Sequence, residues 1–350
     1  MSDFNQGGFD QLASAYPMLP ISARFKQTPD DFVVVEELPF ELSGSGEHAW
    51  LHLRKRNCNT DWLATRLADY AGVKKHAVGY AGLKDRFAVT TQWFSIHLPG
   101  RDDVDWGNLQ LDGVEVLGQS RHQRKLQRGA LKQNHFTIIL RAIETGADGN
   151  IEQVFARCDE IRQQGVPNYY GEQRFGHDLA NLDEAKRLFS QPRERLSRHK
   201  RSLYLSAARS WLFNCIVSER VAQGSWNRRL RGDVFMLNGR SACFVDDESL
   251  ELEQRLQRGE IHPTAVLWGT GDSMAAHDCG VIEAMVIDRY PIFKQGLIDA
   301  NVRQQRRAMR LPVQDLECRL EYASLVLTFR LQAGSYATSV LREIIKLRRN

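Results

Sequence analysis

Short stretches of alternating apolar and polar residues recur along the chain, and this period of two is typical of strands that bury one face. Three such stretches cover residues 50–54, 93–98 and 325–331, and residues 135–143 are also strand-like. Residues 32–35 instead form an unbroken apolar run, which predicts a strand buried on both faces. The pattern therefore predicts strands near both ends of the chain.

Apolar residues at helical spacing lie between these strands. Residues 59–61, with the sequence Asn-Thr-Asp, offer N-cap side chains to a helix whose apolar stripe runs over residues 63–71. A second helix is predicted over residues 203–217, and a third closes the chain at residues 340–345. Residues 1 to about 20, with paired glycines and two prolines, predict a flexible leader. Together these elements predict a mixed α/β fold.

Composition and charge exclude several classes of protein. The chain has 350 residues, enough for two cores, and 42% of them are hydrophobic, as in soluble globular proteins. Its 47 basic and 43 acidic residues leave a net charge of +4, too slight by itself to indicate a nucleic-acid partner. No apolar run reaches the ~20 residues of a membrane helix, and the start of the chain lacks the basic residues of a signal peptide. We therefore predict a cytoplasmic protein with no membrane contact.

The cysteines indicate a reducing compartment. Six of them are spread along the chain without a C-x-x-C pair and without histidines at metal-ligand spacing. Thiols distributed in this way are typical of reduced, structural cysteines. We therefore predict no metal site.

Asp85 is the candidate catalytic residue, and it lies in a loop that leads into the strand predicted at residues 93–98. Lys84 and Arg86 flank it, and the two cations favour its ionised form, which suits a nucleophile better than an acid. Loops carried on a rigid strand are common positions for catalytic groups. The alternative interpretation is an ordinary solvated Lys-Asp-Arg turn on the surface.

A basic segment precedes the strand predicted at residues 135–143. It contains no acid from residue 121 to residue 134, and its cations are Arg121, Arg124, Lys125, Arg128 and Lys132. Clustered cations favour an RNA phosphate backbone, because each contact releases condensed counterions. The alternative is a merely solvated charged stretch.

Two further basic clusters come later in the chain. Four arginines recur at the spacing that places guanidinium groups on one face of a helix, where an anion such as RNA would relieve their repulsion, although a solvated face is the alternative. These are Arg303, Arg306, Arg307 and Arg310. The other cluster comprises Arg193, Arg195, Arg198, Lys200 and Arg201.

Six blocks of residues occur in an order known from one family. The motif Gly-x-Lys-Asp followed by Ala-Val-Thr-x-Gln is formed by Gly82, Lys84, Asp85, Ala88, Val89, Thr90 and Gln92. The other blocks are Lys26 with residues 29–36, then residues 122–136, 165–176, 205–210 and 333–338. The chain therefore resembles the TruD family of tRNA pseudouridine synthases over almost its whole length.

This resemblance implies a fold, an activity and a partner. It implies a pseudouridine-synthase-type catalytic domain with a mostly antiparallel mixed sheet, built from residues 1–158 and 305–350. An inserted α/β TRUD domain would occupy residues 159–304. The implied reaction is the isomerisation of uridine to pseudouridine at position 13 of tRNA, with no metal or organic cofactor, because the base is both the leaving group and the returning nucleophile. We expect tRNA as the partner and a monomeric protein.

The resemblance also assigns roles around the aspartate. Asp85 is implied as the catalytic group, and Lys26 is expected to face it. Lys26 and Lys84 are candidates for holding the carboxylate charged, and Phe32 is a further supporting residue.

Three residues are implied as base-binding. The Asn134 side chain offers both a donor and an acceptor to a uracil edge. Phe136 resembles the aromatic residue that stacks on the target base, although a core aromatic is the ordinary alternative. Tyr336 occupies an active-site aromatic position.

Two other functions are alternatives that the sequence leaves open. A non-catalytic RNA-binding protein would use the same basic surface, although the complete aspartate motif argues against it. A hydrolase with Asp85 as a base is the other alternative, but no Ser-His pair or metal-binding cluster in the sequence supports it.

Overall fold

The structure, a computed structural model, describes residues 8–191 and 196–348, so Arg193 and Arg195 of the basic clusters lie outside the described residues. It divides into two compact units. The first comprises Met1–Met18, Gln163–Pro312 and Ser335–Ile344, and the second comprises Leu19–Arg162, Val313–Gly334 and Ile345–Asn350. The predicted catalytic and inserted domains, with limits near residues 159 and 305, stay a prediction.

Strands and helices alternate along the chain. The strands are β1 Ile21–Phe25, β2 Phe32–Glu37, β3 His48–Arg56, β4 Val78–Tyr80, β5 Val89–His97, β6 Val114–His122, β7 Gln133–Thr145, β8 Val166–Pro167, β9 Val234–Leu237, β10 Cys243–Val245, β11 Ile261–Leu267, β12 Gln305–Ala308, β13 Arg310–Leu311, β14 Gln314–Glu321, β15 Ser324–Gln332 and β16 Lys346–Arg348. The helices are α1 Thr60–Tyr70, α2 Ile151–Gln164, α3 Ala180–Ser190, α4 Arg198–Ala222, α5 Glu251–Gln257, α6 His277–Asp288, α7 Pro291–Asp299 and α8 Ala337–Ile344. The predicted mixed α/β fold is confirmed.

A mixed sheet, ten-stranded among the described residues, forms the centre of the second unit. Its order is β14-β15-β7-β2-β5-β3-β6, with β1, β16 and β4 paired beside this path. Neighbours on the path are antiparallel, except that β2 and β5 run parallel. β15 pairs with β7 from Leu325 opposite Leu140 to Gln332 opposite Gln133. The sheet therefore joins strands that are far apart in the sequence.

β2 buries one face rather than two. Phe32, Val34 and Glu36 are buried, whereas Val35 is 38% exposed. The prediction of burial on both faces at residues 32–35 is therefore wrong. Valine favours strands on covered and open faces alike, so an apolar run does not by itself report how many faces are covered.

α1 packs on the same sheet. Its N-cap residue Asn59 accepts hydrogen bonds from the main-chain N–H groups of Asp61 and Trp62, which confirms the predicted helix start. Its apolar stripe, which includes Leu63 and Leu67, packs with buried residues of β3 and β5. This packing fixes the start of α1, where Thr60 contacts the Asp85 loop.

α4 runs through the hydrophobic core of the first unit. The helix predicted at residues 203–217 lies within it, and Leu212 and Phe213 are fully buried. α3, α6 and α7 pack against α4, as does β11 of a four-stranded sheet with the order β10-β9-β11-β12. The core of this unit is therefore built between helices and a small sheet.

The segment before β1 is packed rather than free. Leu12 and Tyr16 are buried. The Tyr16 hydroxyl donates to the carbonyl of Gly165 at 2.6 Å, and the N–H of Ala13 donates to Oγ of Ser218 at 2.8 Å. The prediction of a flexible leader is therefore wrong for residues 8–18, because apolar burial and hydrogen bonds fix them, and residues 1–7 lie outside the described residues.

The later arginines do not lie on a helix. Arg306 belongs to β12 and Arg310 to β13, so the predicted helical face is wrong. Successive strand residues point to opposite faces. Arg306 accordingly bonds Glu283, whereas Arg307 lies over the ring of Tyr170. The spacing of three and four residues between these arginines therefore does not indicate a helix, because two short strands contain Arg306 and Arg310.

Candidate active site

Asp85 lies in the irregular loop between β4 and β5. Its carboxylate oxygen Oδ2 accepts a hydrogen bond from the ammonium group of Lys26, the residue after β1. Lys26 has a left-handed backbone with φ of 57°, an uncommon conformation for a side chain of this size. The Asp85 side chain is 45% exposed. The loop therefore presents a carboxylate that has a cationic partner and an open side.

Aromatic rings extend from this ion pair into the sheet. The Lys26 ammonium lies 4.1 Å from the ring centroid of Phe32. The ring centroids of Phe32 and Phe136 are 6.0 Å apart, and those of Phe136 and Phe329 are 5.3 Å apart. A chain of direct contacts thus joins Asp85 to Phe136. Phe136 is only 7% exposed, and the rings of Phe32 and Phe329 contact it.

Asn134 carries an unfilled hydrogen-bond acceptor. It lies in β7 two residues before Phe136, so the two side chains share a face of the sheet, and it pairs with Glu36 of β2. Its side-chain oxygen Oδ1 is buried and has no hydrogen-bond partner among the described residues. An unpaired buried acceptor costs about 1–3 kcal/mol. A ligand that offers a donor to this atom would remove that cost.

Lys84 points into the protein. Its ammonium donates to Oε2 of Glu36 at 2.8 Å, and both side chains are buried. Glu36 also accepts a hydrogen bond from the N–H of Trp93 at 3.4 Å. The structure therefore pairs Lys84 with Glu36, which sequence reasoning missed, and pairs Asp85 with Lys26. The sequence signal that could have indicated this pair is the position of Glu36 directly after the apolar residues of β2.

Buried polar side chains hold the main chain of the Asp85 loop. Thr60 Oγ1 accepts from the N–H of Lys84 at 3.1 Å and donates to Oε1 of Gln92 at 3.2 Å. Gln92 Nε2 donates to the carbonyl of Gly82 at 3.4 Å. Thr60 and Gln92 are both buried. The sequence indicated Thr60 only as part of a helix start and Gln92 only as part of a motif.

Lys55 of β3 reaches the same loop from the protein interior. Its side chain is fully buried, and Nζ donates to the carbonyls of Cys58 at 2.6 Å and Asp85 at 3.3 Å. Burial lowers the pKa of Lys55 to about 8, although the negative charge of Asp85 acts in the opposite direction. Sequence reasoning missed Lys55, because charged residues precede and follow it in β3 and burial alone sets it apart.

Two cations of the basic segment are paired with acids. Arg121 bonds Asp103 at 2.6 Å, and Lys132 bonds Glu37 at 2.7 Å. Hydrogen bonds from Lys132 and His135 lower the pKa of Glu37 to about 2. These acid partners reduce the positive charge that Arg121 and Lys132 offer to RNA.

The other three cations of the segment are not paired with acids. Arg124 is exposed and forms no ion pair with the described residues. Lys125 Nζ donates to the carbonyl of His76 at 2.5 Å. The Arg128 guanidinium lies 3.8 Å from the ring centroid of Tyr80 and donates to its hydroxyl. Arg124 and Arg128 therefore carry the most available charge of the basic segment.

Tyr336 belongs to the first unit, where it precedes α8. Its ring meets the ring of Tyr170 edge-on, with centroids 6.0 Å apart. Arg307 and Arg174 lie over Tyr170, with guanidinium carbons 4.3 Å and 5.3 Å from the ring centroid. The base-binding role assigned to Tyr336 stays a prediction.

Neither a metal-binding cluster nor a membrane-spanning helix occurs within residues 8–191 and 196–348. No group of three or more His, Cys, Asp or Glu side chains there is placed to hold a metal ion. No helix in the same ranges is long and apolar enough to cross a bilayer.

The fold is similar to that of a known solved structure. A crystal structure described as the putative tRNA pseudouridine synthase D (TruD) from Methanosarcina mazei matches 96% of this chain and 96% of its own chain, with a TM-score of 0.74 and 23% identity. The chain therefore shares the overall fold of that structure.

Sequence comparison shows the class, the pseudouridine synthases, and the family within it. The family model for tRNA pseudouridine synthase D (TruD) matches residues 14–185 and 178–344. A tRNA pseudouridine synthase D from Methylococcus capsulatus is 50% identical over 341 residues, covering 97% of this chain and 95% of the relative. A protein of the same name from Hydrogenovibrio crunogenus is 43% identical over 345 residues, covering 98% and 99%. The chain belongs to the TruD family of tRNA pseudouridine synthases, as its sequence blocks predicted, and the protein is an enzyme.

Proposed function

We propose that the protein isomerises uridine to pseudouridine at position 13 of tRNA and that Asp85 is the catalytic group. The observation that supports Asp85 most strongly is the contact between its exposed carboxylate and the ammonium of Lys26. The ammonium balances the charge of the carboxylate and fixes its direction, while the exposed side leaves it open to act as a nucleophile or base. Phe32 supports the pair, since the Lys26 ammonium lies over its ring.

The reaction exchanges one bond to the ribose for another. The bond between C1′ and N1 breaks, and the uracil leaves with the electron pair. After the uracil turns, C5 attacks C1′, C5 loses its proton and N1 gains one, so the product is an isomer of the substrate. Asp85 acts at the sugar by one of two routes: its carboxylate attacks C1′ and is displaced when C5 bonds to C1′, or it removes the C2′ proton and returns it to C2′ when C5 bonds to C1′. Both routes require the nucleotide to leave the helical stack.

Asn134 and aromatic rings hold the uracil in this proposal. The N3–H of uracil donates to the unfilled Oδ1 of Asn134, whereas cytosine has no hydrogen at N3 and leaves that acceptor unpaired. Phe136 supplies an apolar face, and aromatic contacts replace stacking worth about 1–3 kcal/mol per base. The base-binding role proposed for Tyr336 rests on the family resemblance alone. Uridine is therefore favoured over cytidine.

The basic segment at residues 121–132 binds the phosphate backbone of the tRNA. Arg124 and Arg128, which have no acid partner among the described residues, make the main phosphate contacts. We take the enzyme to act as a monomer in the cytoplasm, where its tRNA substrate is found.

The test of the position is a pair of unmodified tRNA transcripts that differ only at residue 13. Carbodiimide mapping after incubation should show pseudouridine at position 13 of the uridine transcript and none in the transcript with cytidine there. Pseudouridine at another position, with uridine 13 unchanged, would contradict the assignment.

A further inference from the structure

Lys55 has an unusual position for a lysine. It continues the inner row of β3 that contains Leu51 and Leu53, and it is fully buried. Taking an ammonium group out of water is costly unless hydrogen bonds or opposite charges compensate. The partners of this ammonium group therefore decide what Lys55 does.

Lys55 forms no ion pair with the described residues, and its Nζ donates to the main-chain carbonyls of Cys58 and Asp85. Among the charged groups near it, the Asp85 carboxylate favours the ammonium and Lys84 opposes it. The charge of Lys84 is itself paired with Glu36. Burial raises the pKa of the Cys58 thiol, so near neutral pH the thiol is uncharged. With the thiol uncharged, the Asp85 carboxylate is the negative charge among these groups that favours the buried ammonium.

The two carbonyl bonds serve different parts of the chain. The bond to the Cys58 carbonyl closes the turn between β3 and α1, and this turn does not require the second bond. The bond to Asp85 instead holds the main chain of the residue whose side chain meets Lys26. Two lysines therefore hold Asp85, one at its carbonyl and one at its carboxylate.

We propose that Lys55 is a positioning residue for the isomerisation: its buried ammonium holds the main chain of Asp85 and so keeps the carboxylate directed at the bound nucleotide. This proposal rests on Asp85 being the catalytic group, as proposed above. A charged donor makes a stronger hydrogen bond than a neutral amine. Loss of the Lys55 proton, at about pH 8, therefore loosens the loop and slows the reaction.

The test is the rate of a single turnover with saturating tRNA, measured across pH 6 to 10 for the wild type and for Lys55→Met. The wild-type rate should fall above about pH 8. The rate for Lys55→Met should be lower by about 10- to 100-fold, because a catalytic carboxylate displaced by up to about 1 Å loses rate by that order. The affinity for tRNA should change by less than about twofold. Its profile should lack the fall near pH 8. Ionisation of the tRNA bases affects both proteins and cancels in the comparison.

Lys75→Met is the matched control, because Lys75 is an exposed lysine paired with Asp61 in the same unit. It should keep the wild-type rate and profile. A folded Lys55→Met with the wild-type rate, or with the same fall near pH 8, overturns the proposal. If Lys55→Met does not fold, the wild-type profile decides, and a flat rate through pH 8 overturns the proposal.

Asp85→Asn separates this proposal from the proposed function. An active Asp85→Asn contradicts Asp85 as the catalytic group, whatever Lys55 does. An inactive Asp85→Asn together with a fully active Lys55→Met contradicts the role of Lys55 alone.

Discussion

Lys84 and Glu36 form a buried ion pair next to the Asp85 loop, with 2.8 Å between Nζ and Oε2. The lysine that precedes the proposed catalytic residue in the sequence therefore anchors the loop to β2. The cation that contacts the Asp85 carboxylate is Lys26, which lies 59 positions away in the chain. This division of roles between two lysines leads to separate predictions for stability and for catalysis.

Breaking the buried pair should destabilise the second unit. Lys84→Met leaves the Glu36 carboxylate buried without its cation, and Glu36→Gln leaves the ammonium without its anion. Each single change should cost about 3–5 kcal/mol in the free energy of unfolding, whereas the double variant Glu36→Leu/Lys84→Met should cost less than the sum. Urea unfolding checks this. Additive losses below about 1 kcal/mol each would show that the pair is not a buried anchor.

Removal of the Asn134 amide should reduce activity without reducing stability. Asn134→Ala removes an acceptor that has no partner among the described residues, so the melting temperature should hold or rise. The single-turnover rate at subsaturating tRNA should fall about tenfold or more, since a bond to the uracil is lost. Thr137→Val, in the same strand but on the other face, is the control. An unchanged rate for Asn134→Ala would remove this side chain from the base-binding site.

The basic segment should contribute unevenly to tRNA binding. Arg124→Ala/Arg128→Ala should lower the slope of log affinity against log salt by about 1 for each phosphate that the variant no longer neutralises. Arg121→Ala should lower it less, because Asp103 already neutralises that guanidinium. Filter binding of tRNA at several salt concentrations measures the slopes, with Arg66→Ala, paired with Asp69 on α1, as control. Equal slopes for the double variant and the wild type would exclude this segment from the interface.

Lys55 should make stability depend on alkaline pH. Its pKa is about 8 in the folded protein, against 10.5 for an unperturbed lysine, so between these values the unfolded chain binds more protons. The free energy of unfolding therefore rises with pH across this window, and the cost of burying the ammonium is fully present below pH 8. Relative to Lys55→Met, the wild type should gain up to about 3 kcal/mol over the window. Denaturant titrations at pH 7 and above pH 9 test this, and parallel curves for the two proteins would contradict it.

Patterns local in sequence predicted much of the fold. The alternation at residues 50–54, 93–98 and 325–331 corresponds to β3, β5 and β15, and the N-cap at Asn59 corresponds to the start of α1. Where prediction failed, tertiary packing decided the outcome. The leader is fixed by apolar contacts of Leu12 and Tyr16, which no local pattern reports.

The candidate site was predictable only in part for the same reason. The aspartate motif is contiguous and was visible, and family resemblance placed Lys26, Asn134 and Phe136 near it. The contacts of three further residues, Glu36, Lys55 and Phe329, depend on strand register and burial. Register and burial cannot be predicted from the identity of a single residue. The contact of Phe136 with Phe329, for example, follows from the pairing of β7 with β15.

The most direct test of the central claim is single-turnover pseudouridine formation by Asp85→Asn, measured alongside its affinity for the same tRNA. Asparagine keeps the size of the side chain but cannot act as an anionic nucleophile or base. We predict no detectable pseudouridine at position 13 and an affinity within about threefold of the wild type. Product formed at the wild-type rate, or a loss of activity fully explained by lost tRNA binding, would contradict the assignment of Asp85 as the catalytic group.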